Sequence, residues 1–201
     1  MNTQRSIVSL LIKRQGTTMS NLGYSKNFLG LGDLFFRDPE RYLSIVKLLE
    51  VVMSGESELT HVQREAIALY TSRLNGCHYC ISSHRAVLDA LDVDLAFIDS
   101  IATGSIDSLD DKYEQMLVFA KKLTLDPGGL TQEEIEVVRT AGWSDQAIED
   151  AIGVVSIFCM INRIVDAIGL PGSDEHFQQF GGMVSQGGYA PMVQMIEQKI
   201  K

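Results

Sequence analysis

Basic residues are scarce in this chain. Seventeen Lys and Arg stand against 26 Asp and Glu over 201 residues, a formal net charge of -9. That balance, with no basic stripe set against it, argues against nucleic acid or anionic membrane surfaces as partners. Residues 7–12 are apolar but too few to span a bilayer. Lys13-Arg14 follows them with no small-residue cleavage pattern, so neither a membrane span nor a signal peptide is expected. Cysteine is rarer still. Three is an odd, low count, unlike the disulfide framework of a small secreted domain. The expected location is therefore cytoplasmic, where closely spaced cysteines serve catalysis or metal binding rather than stapling. Strand signals, low-complexity tracts and clear domain linkers are absent as well.

What the chain has in quantity is helical periodicity, and 45% hydrophobic content gives it enough apolar material for one sizeable core. Asp38-Pro39-Glu40 reads as an N-cap, a proline at the first helical position and an acidic first turn, opening a helix to about Met53. Thr60-x-x-Gln63 is a capping box for a helix whose apolar face carries Val62, Ala66, Leu69, Tyr70 and Leu74, with Glu65 at its edge. Asn75-Gly76 stops that helix, and another begins near Cys77. Asp94, Ser108, Thr131 and Ser144 each read as the cap of a later helix, the last running to Ile168. The spacing predicts an all-α single domain: an N-terminal segment (1–37, residues 1–20 weakly ordered or a short helix), a helical core (38–170) and a C-terminal arm (171–201). Its glycines (Gly181, Gly182, Gly187, Gly188) mark the arm as loose with a terminal helix, of the kind that packs on a neighbouring subunit.

The chemistry concentrates in Cys77-His78-Tyr79-Cys80-Ile81-Ser82-Ser83-His84, of the form C-x-x-C-x-x-x-H. On a helix, Cys77, Cys80 and His84 share one stripe. The two cysteine Cα atoms would lie roughly 5 Å apart, close enough for a disulfide. A free thiol is only about 3% ionised at pH 7; lowering its pKa to roughly 6.5 takes about 2.7 kcal/mol. A helix N-terminus and a nearby imidazole both act in that direction. Glu65 lies ten residues before the Asn75-Gly76 turn and His84 about eight after it, so antiparallel helices bring the carboxylate level with the imidazole it would orient. Cys80, one turn from His84, is the better placed attacking thiolate, with Cys77 resolving. The opposite assignment stays open, since the first cysteine of a helix-initial C-x-x-C is often the more exposed.

Blander readings stand beside these. A zinc site would have at most three ligands here, since no second C-x-x-C or H-x-x-x-H exists. Two buried cysteines and a satisfied histidine could be purely structural. Glu65 could pair with Arg64 or Arg73, Cys159 reads as an inert core thiol, and His61 and His176 read as solvent-exposed. Met116, Met160, Met183, Met192 and Met195 suggest gap-filling or subunit contact. No cofactor or metal is called for.

Glu65, eleven intervening residues and Cys77-x-x-Cys80-x-x-x-His84 resemble the core of the alkylhydroperoxidase D-like, carboxymuconolactone decarboxylase superfamily. Residues 72–80, Lys121-Lys122-Leu123-Thr124, Ala141-Gly142-Trp143-Ser144-Asp145 and Asn162-Arg163-Ile164-Val165-Asp166 are similar to its peroxidase-related branch. The resemblance covers about residues 38–170. It implies an all-helical homo-oligomer and a thiol peroxidase with Cys80 peroxidatic, Cys77 resolving, and Glu65 and His84 in the proton relay. Its substrate would be a small hydroperoxide and its reductant an external dithiol. Alternatives are a thiol-disulfide oxidoreductase or adaptor, and a redox-sensing oligomer. In one respect the chain departs from the family: Tyr79 stands where well-characterised members carry a second histidine, and His78 points about 100° away from that position.

Overall fold

The computed structural model describes residues 20–201, so the expectation for the first 20 residues falls almost wholly outside it. Ten α-helices follow one another: α1 (Leu31–Arg37), α2 (Pro39–Ser54), α3 (His61–Asn75), α4 (His78–Ala90), α5 (Leu95–Thr103), α6 (Asp111–Leu125), α7 (Gln132–Thr140), α8 (Asp145–Ile168), α9 (Asp174–Gly187) and α10 (Ala190–Ile200). No strand occurs among the described residues, in keeping with the expected all-α class.

The boundaries follow the caps written in the sequence. The Asp38 carboxylate accepts the Arg41 N–H, and Thr60 and Thr131 form reciprocal capping boxes with Gln63 and Glu134. Such caps are worth about 1 kcal/mol each. One cap differs from expectation. Asp110, not Ser108, accepts the Tyr113 N–H at the start of α6, while Ser108 sits in a 3-10 turn. An aspartate next to the first helical residue wins because its side chain reaches the free N–H groups and its charge suits the helix N-terminus.

Helix α3 is the axis of the bundle. Every side chain from Arg64 to Ser72 is buried, because α4, α8, α6 and α5 all pack on it. Glu65 is thus wholly interior rather than at the edge of an apolar face. Helix α8 is long and apolar enough to cross a membrane, yet half of that stretch is buried inside the bundle, where it lies along α3.

The region read as a loose arm is two helices folded back on their own chain. Helix α9 makes its main contact with α4, and α10 packs on α2. The glycines that suggested looseness serve close packing. A Cβ at Gly181 would overlap the Ala86 carbonyl oxygen, so its absence lets α9 lie against α4. Gly188 takes φ +59°, which suits glycine, and lets the chain turn into α10.

Candidate active site

Helix α3 ends at Gly76, whose φ of +73° is the left-handed conformation that a C-terminal glycine adopts at least cost. The Gly76 and Cys77 N–H groups bond back to Arg73 and Ser72 carbonyls. Asn75 donates to the Asn162 Oδ1 (2.9 Å), and Asn162 donates to the Ser72 hydroxyl (3.1 Å), tying the turn to α8. This turn delivers Cys77 as the N-cap of α4 in extended backbone, just outside the helix, and Cys80 in its first turn. Both cysteines are buried free thiols.

The four residues singled out by sequence come together. The His84 Nδ1 lies 2.7 Å from the Glu65 Oε2, with both side chains withdrawn from solvent. The ring of Phe158 meets that of His84 edge-on at 4.3 Å and fixes its plane. Arg64 and Arg73 do not compete for the carboxylate: Arg64 donates to the Gly55 carbonyl (2.8 Å) and Arg73 to that of Thr103 (3.0 Å). The second carboxylate oxygen, Oε1, instead faces the His61 Nε2 at 3.6 Å. His61 is therefore not simply exposed. Its Nε2 and the Glu65 Oε1 are both buried without a closer partner. Burial pushes the Glu65 carboxyl upward, but the two histidines outweigh it and hold it below the usual carboxylate range.

Cys77 and Cys80 are not equivalent. Cys80 lines a cavity of about 220 Å³, and Cys77 does not. Its hydrogen bond to Cys80, together with burial, pushes the Cys77 thiol well above the ordinary range, so it keeps its proton. His84 and Ser83 line the cavity beside Cys80, and Leu49, Phe158 and Ile161 make its apolar walls.

The remaining wall was not foreseen. Helices α9 and α10 and the junction between them supply His176, Phe180, Met183, Tyr189 and Met192. His176, read from sequence as an exposed arm residue, is half-buried and stands 2.7 Å from the Tyr79 hydroxyl through its Nε2. That hydroxyl also accepts the Leu31 N–H (2.9 Å). Burial raises the Tyr79 phenol and lowers the His176 imidazole, so at neutral pH both are uncharged. His78 is exposed. Cys159 is partly buried and stands 3.6 Å from the Asn75 amide. Among the described residues, no group of three or more His, Cys, Asp and Glu side chains is arranged to hold a metal ion.

The sequence model of the carboxymuconolactone decarboxylase family matches residues 39–94, which run from α2 through α4 and carry all four site residues. Over that stretch the chain is similar to the carboxymuconolactone decarboxylase family. Among solved structures, a peroxidase-related protein from Silicibacter sp. TM1040 is 28% identical, with a TM-score of 0.69 over 75% of this chain and 79% of that one. An alkylhydroperoxidase AhpD core protein from Ralstonia eutropha JMP134 is 22% identical (TM-score 0.68, 89% and 88% covered) and shares the fold. So does the debrominase Bmp8, 17% identical (TM-score 0.62, 96% and 95% covered). No curated protein matches the chain. Within the matched stretch lie the dithiol, Glu65 and His84; the arm helices that wall the cavity lie beyond it.

Proposed function

We propose that this protein is a thiol-dependent peroxidase that reduces small organic hydroperoxides through a Cys77/Cys80 dithiol-disulfide cycle. One observation carries the reading: Cys80 alone of the two sulfurs opens onto the cavity, with the His84–Glu65 pair beside it and the protonated Cys77 behind it. The Cys80 thiol passes its proton toward His84, whose imidazolium is held by the ionised Glu65. The thiolate attacks the terminal oxygen of the hydroperoxide, an S–O bond forms as the O–O bond breaks, and the alcohol leaves after taking a proton. Cys77 then attacks the Cys80 sulfenic acid, releasing water and forming the disulfide. An external dithiol reduces the disulfide, becoming oxidised itself.

The apolar cavity favours an organic hydroperoxide over hydrogen peroxide, which needs neither the space nor the Leu49, Phe158, Ile161 and Phe180 walls. Cys77 is 0% and Cys80 3% exposed, so the external dithiol, like any disulfide partner of the adaptor alternative, would have to reach Cys80 through the cavity.

The test is stopped-flow oxidation of the reduced protein by cumene hydroperoxide, beside Cys80→Ser and Cys77→Ser. Thiol loss much faster than that of free cysteine is expected, with no fast phase in Cys80→Ser and a trappable sulfenic acid in Cys77→Ser. A rate equal to that of free cysteine overturns the proposal.

A further inference from the structure

Besides Cys80 and His84 the cavity is lined by Tyr79 and His176, and the cycle above uses neither of these two. Tyr79 and His84 are five residues apart on α4 and so project about 140° from each other around the helix axis. His84, with Glu65 behind it, lines the cavity beside Cys80. The Tyr79 hydroxyl is gripped from two directions: by the Leu31 N–H at 2.9 Å and by the His176 Nε2 at 2.7 Å. Three separate stretches of chain meet at this one oxygen, and His176 is 97 residues from Tyr79 in sequence. The junction is built to be tight. Gly30 lies against it, where a Cβ would overlap the His176 ring and come within 2.8 Å of the Tyr79 hydroxyl. Phe177 holds the tyrosine ring edge-on at 5.2 Å. Packing alone would be met by phenylalanine, without the cost of burying a hydroxyl and an imidazole.

Resting on the peroxidase reading, we propose that Tyr79 is the general acid that protonates the oxygen leaving the hydroperoxide, and that His176 is its positioning residue. As Cys80 attacks, the O–O electron pair goes to the departing alkoxide, which takes the hydroxyl proton of Tyr79. The phenolate oxygen so formed is held by the Leu31 N–H and by His176 in its Nε2-protonated neutral form. Its proton returns from water once the alcohol has gone, while the proton taken from Cys80 leaves through His84, so the sum is one thiol and one hydroperoxide giving one sulfenic acid and one alcohol. An alkoxide is a poor leaving group, and a placed acid matters in proportion to its basicity.

The experiment compares two oxidants of Cys80: tert-butyl hydroperoxide, which expels an alkoxide, and peracetic acid, which expels acetate and needs no acid. Tyr79→Phe is expected to lose about 100-fold in rate with tert-butyl hydroperoxide and less than twofold with peracetic acid. His176→Phe should show a smaller loss of the same selectivity, and His176→Gln, whose amide can donate to the phenol, should restore part of it. The peracetic acid rate also reports whether each variant keeps an intact thiol site. Equal losses with both oxidants, or none with either, overturn the general-acid assignment while leaving the peroxidase reading in place. Wild-type protein that reacts with neither oxidant faster than free cysteine removes the peroxidase reading, and this assignment with it.

Discussion

Glu65 and His84, nineteen residues apart, meet at 2.7 Å with side chains 0% and 2% exposed, on two helices joined by the short Asn75–Gly76–Cys77 turn. Removing the carboxylate leaves His84 buried without its partner. Glu65→Leu is expected to cost roughly 3–5 kcal/mol of stability, measured by urea unfolding at pH 7. Glu65→Gln keeps the shape but not the charge, and should move the alkylation-versus-pH curve of Cys80 to higher pH. An unchanged curve would remove Glu65 from the thiol chemistry.

The same carboxylate sets an acid limit. Its pKa in the folded protein lies below that of the unfolded chain, so its contribution to stability is present above about pH 4.3 and is lost as pH falls through the folded value. The stability gap between wild type and Glu65→Gln should therefore narrow as pH drops below that point. Unfolding curves between pH 3 and 7 check this; a gap constant across the range contradicts it.

His61 supplies part of that depression through its Nε2, 3.6 Å from the Glu65 Oε1. In His61→Ala the Glu65 carboxyl should titrate higher, and the acid limb of the hydroperoxide rate profile should shift upward in pH with little change in the plateau. A plateau that falls more than tenfold with an unmoved acid limb would give His61 another role.

His176 titrates in the opposite chemical sense, with the same direction of stability. Burial lowers its folded pKa beneath the usual 6.5, and Asp33 opposes that only in part. The unfolded chain therefore takes up protons first, and stability falls as pH drops from about 6.5 toward the folded value. Hydrogen exchange in α9 should quicken over that window in wild type and not in His176→Phe.

Gly30→Ala puts a methyl group into the junction of His176 and Tyr79. The expected cost is about 1–3 kcal/mol, with slower oxidation by tert-butyl hydroperoxide than in wild type. A thermal melt and the stopped-flow rate together test it; a variant as stable and as fast as wild type would mean that the junction yields freely.

Much of the site was legible because it is local. The spacing of Glu65, Cys77, Cys80 and His84 around a two-residue turn signal dictates antiparallel neighbours, and the helix period puts sulfur and imidazole on one stripe. His61 sits four residues before Glu65 on the same helix, so its approach was open to the same argument; its place in a first turn suggested solvent instead, and only the burial of α3 on all sides decides the matter. His176 had no local signal at all. Its partner is 97 residues away, and the arm's glycines read as slack until Gly181 is seen against the Ala86 carbonyl. Glycine marks both a flexible chain and a close approach, and the sequence alone cannot separate them.

The cavity is walled by two stretches of chain with different duties. The thiols, carboxylate and imidazole that would do chemistry lie between Glu65 and His84, while much of what a substrate would touch lies between His176 and Met192. The two stretches meet along the contact of α4 with α9, where Tyr79 and His176 join. Substitutions of Phe180, Met183 or Met192 in the later stretch would widen, narrow or re-line the chamber without replacing any of the four residues that would carry the sulfur chemistry. One set of reactive groups can in this way serve different substrates through changes in the last two helices.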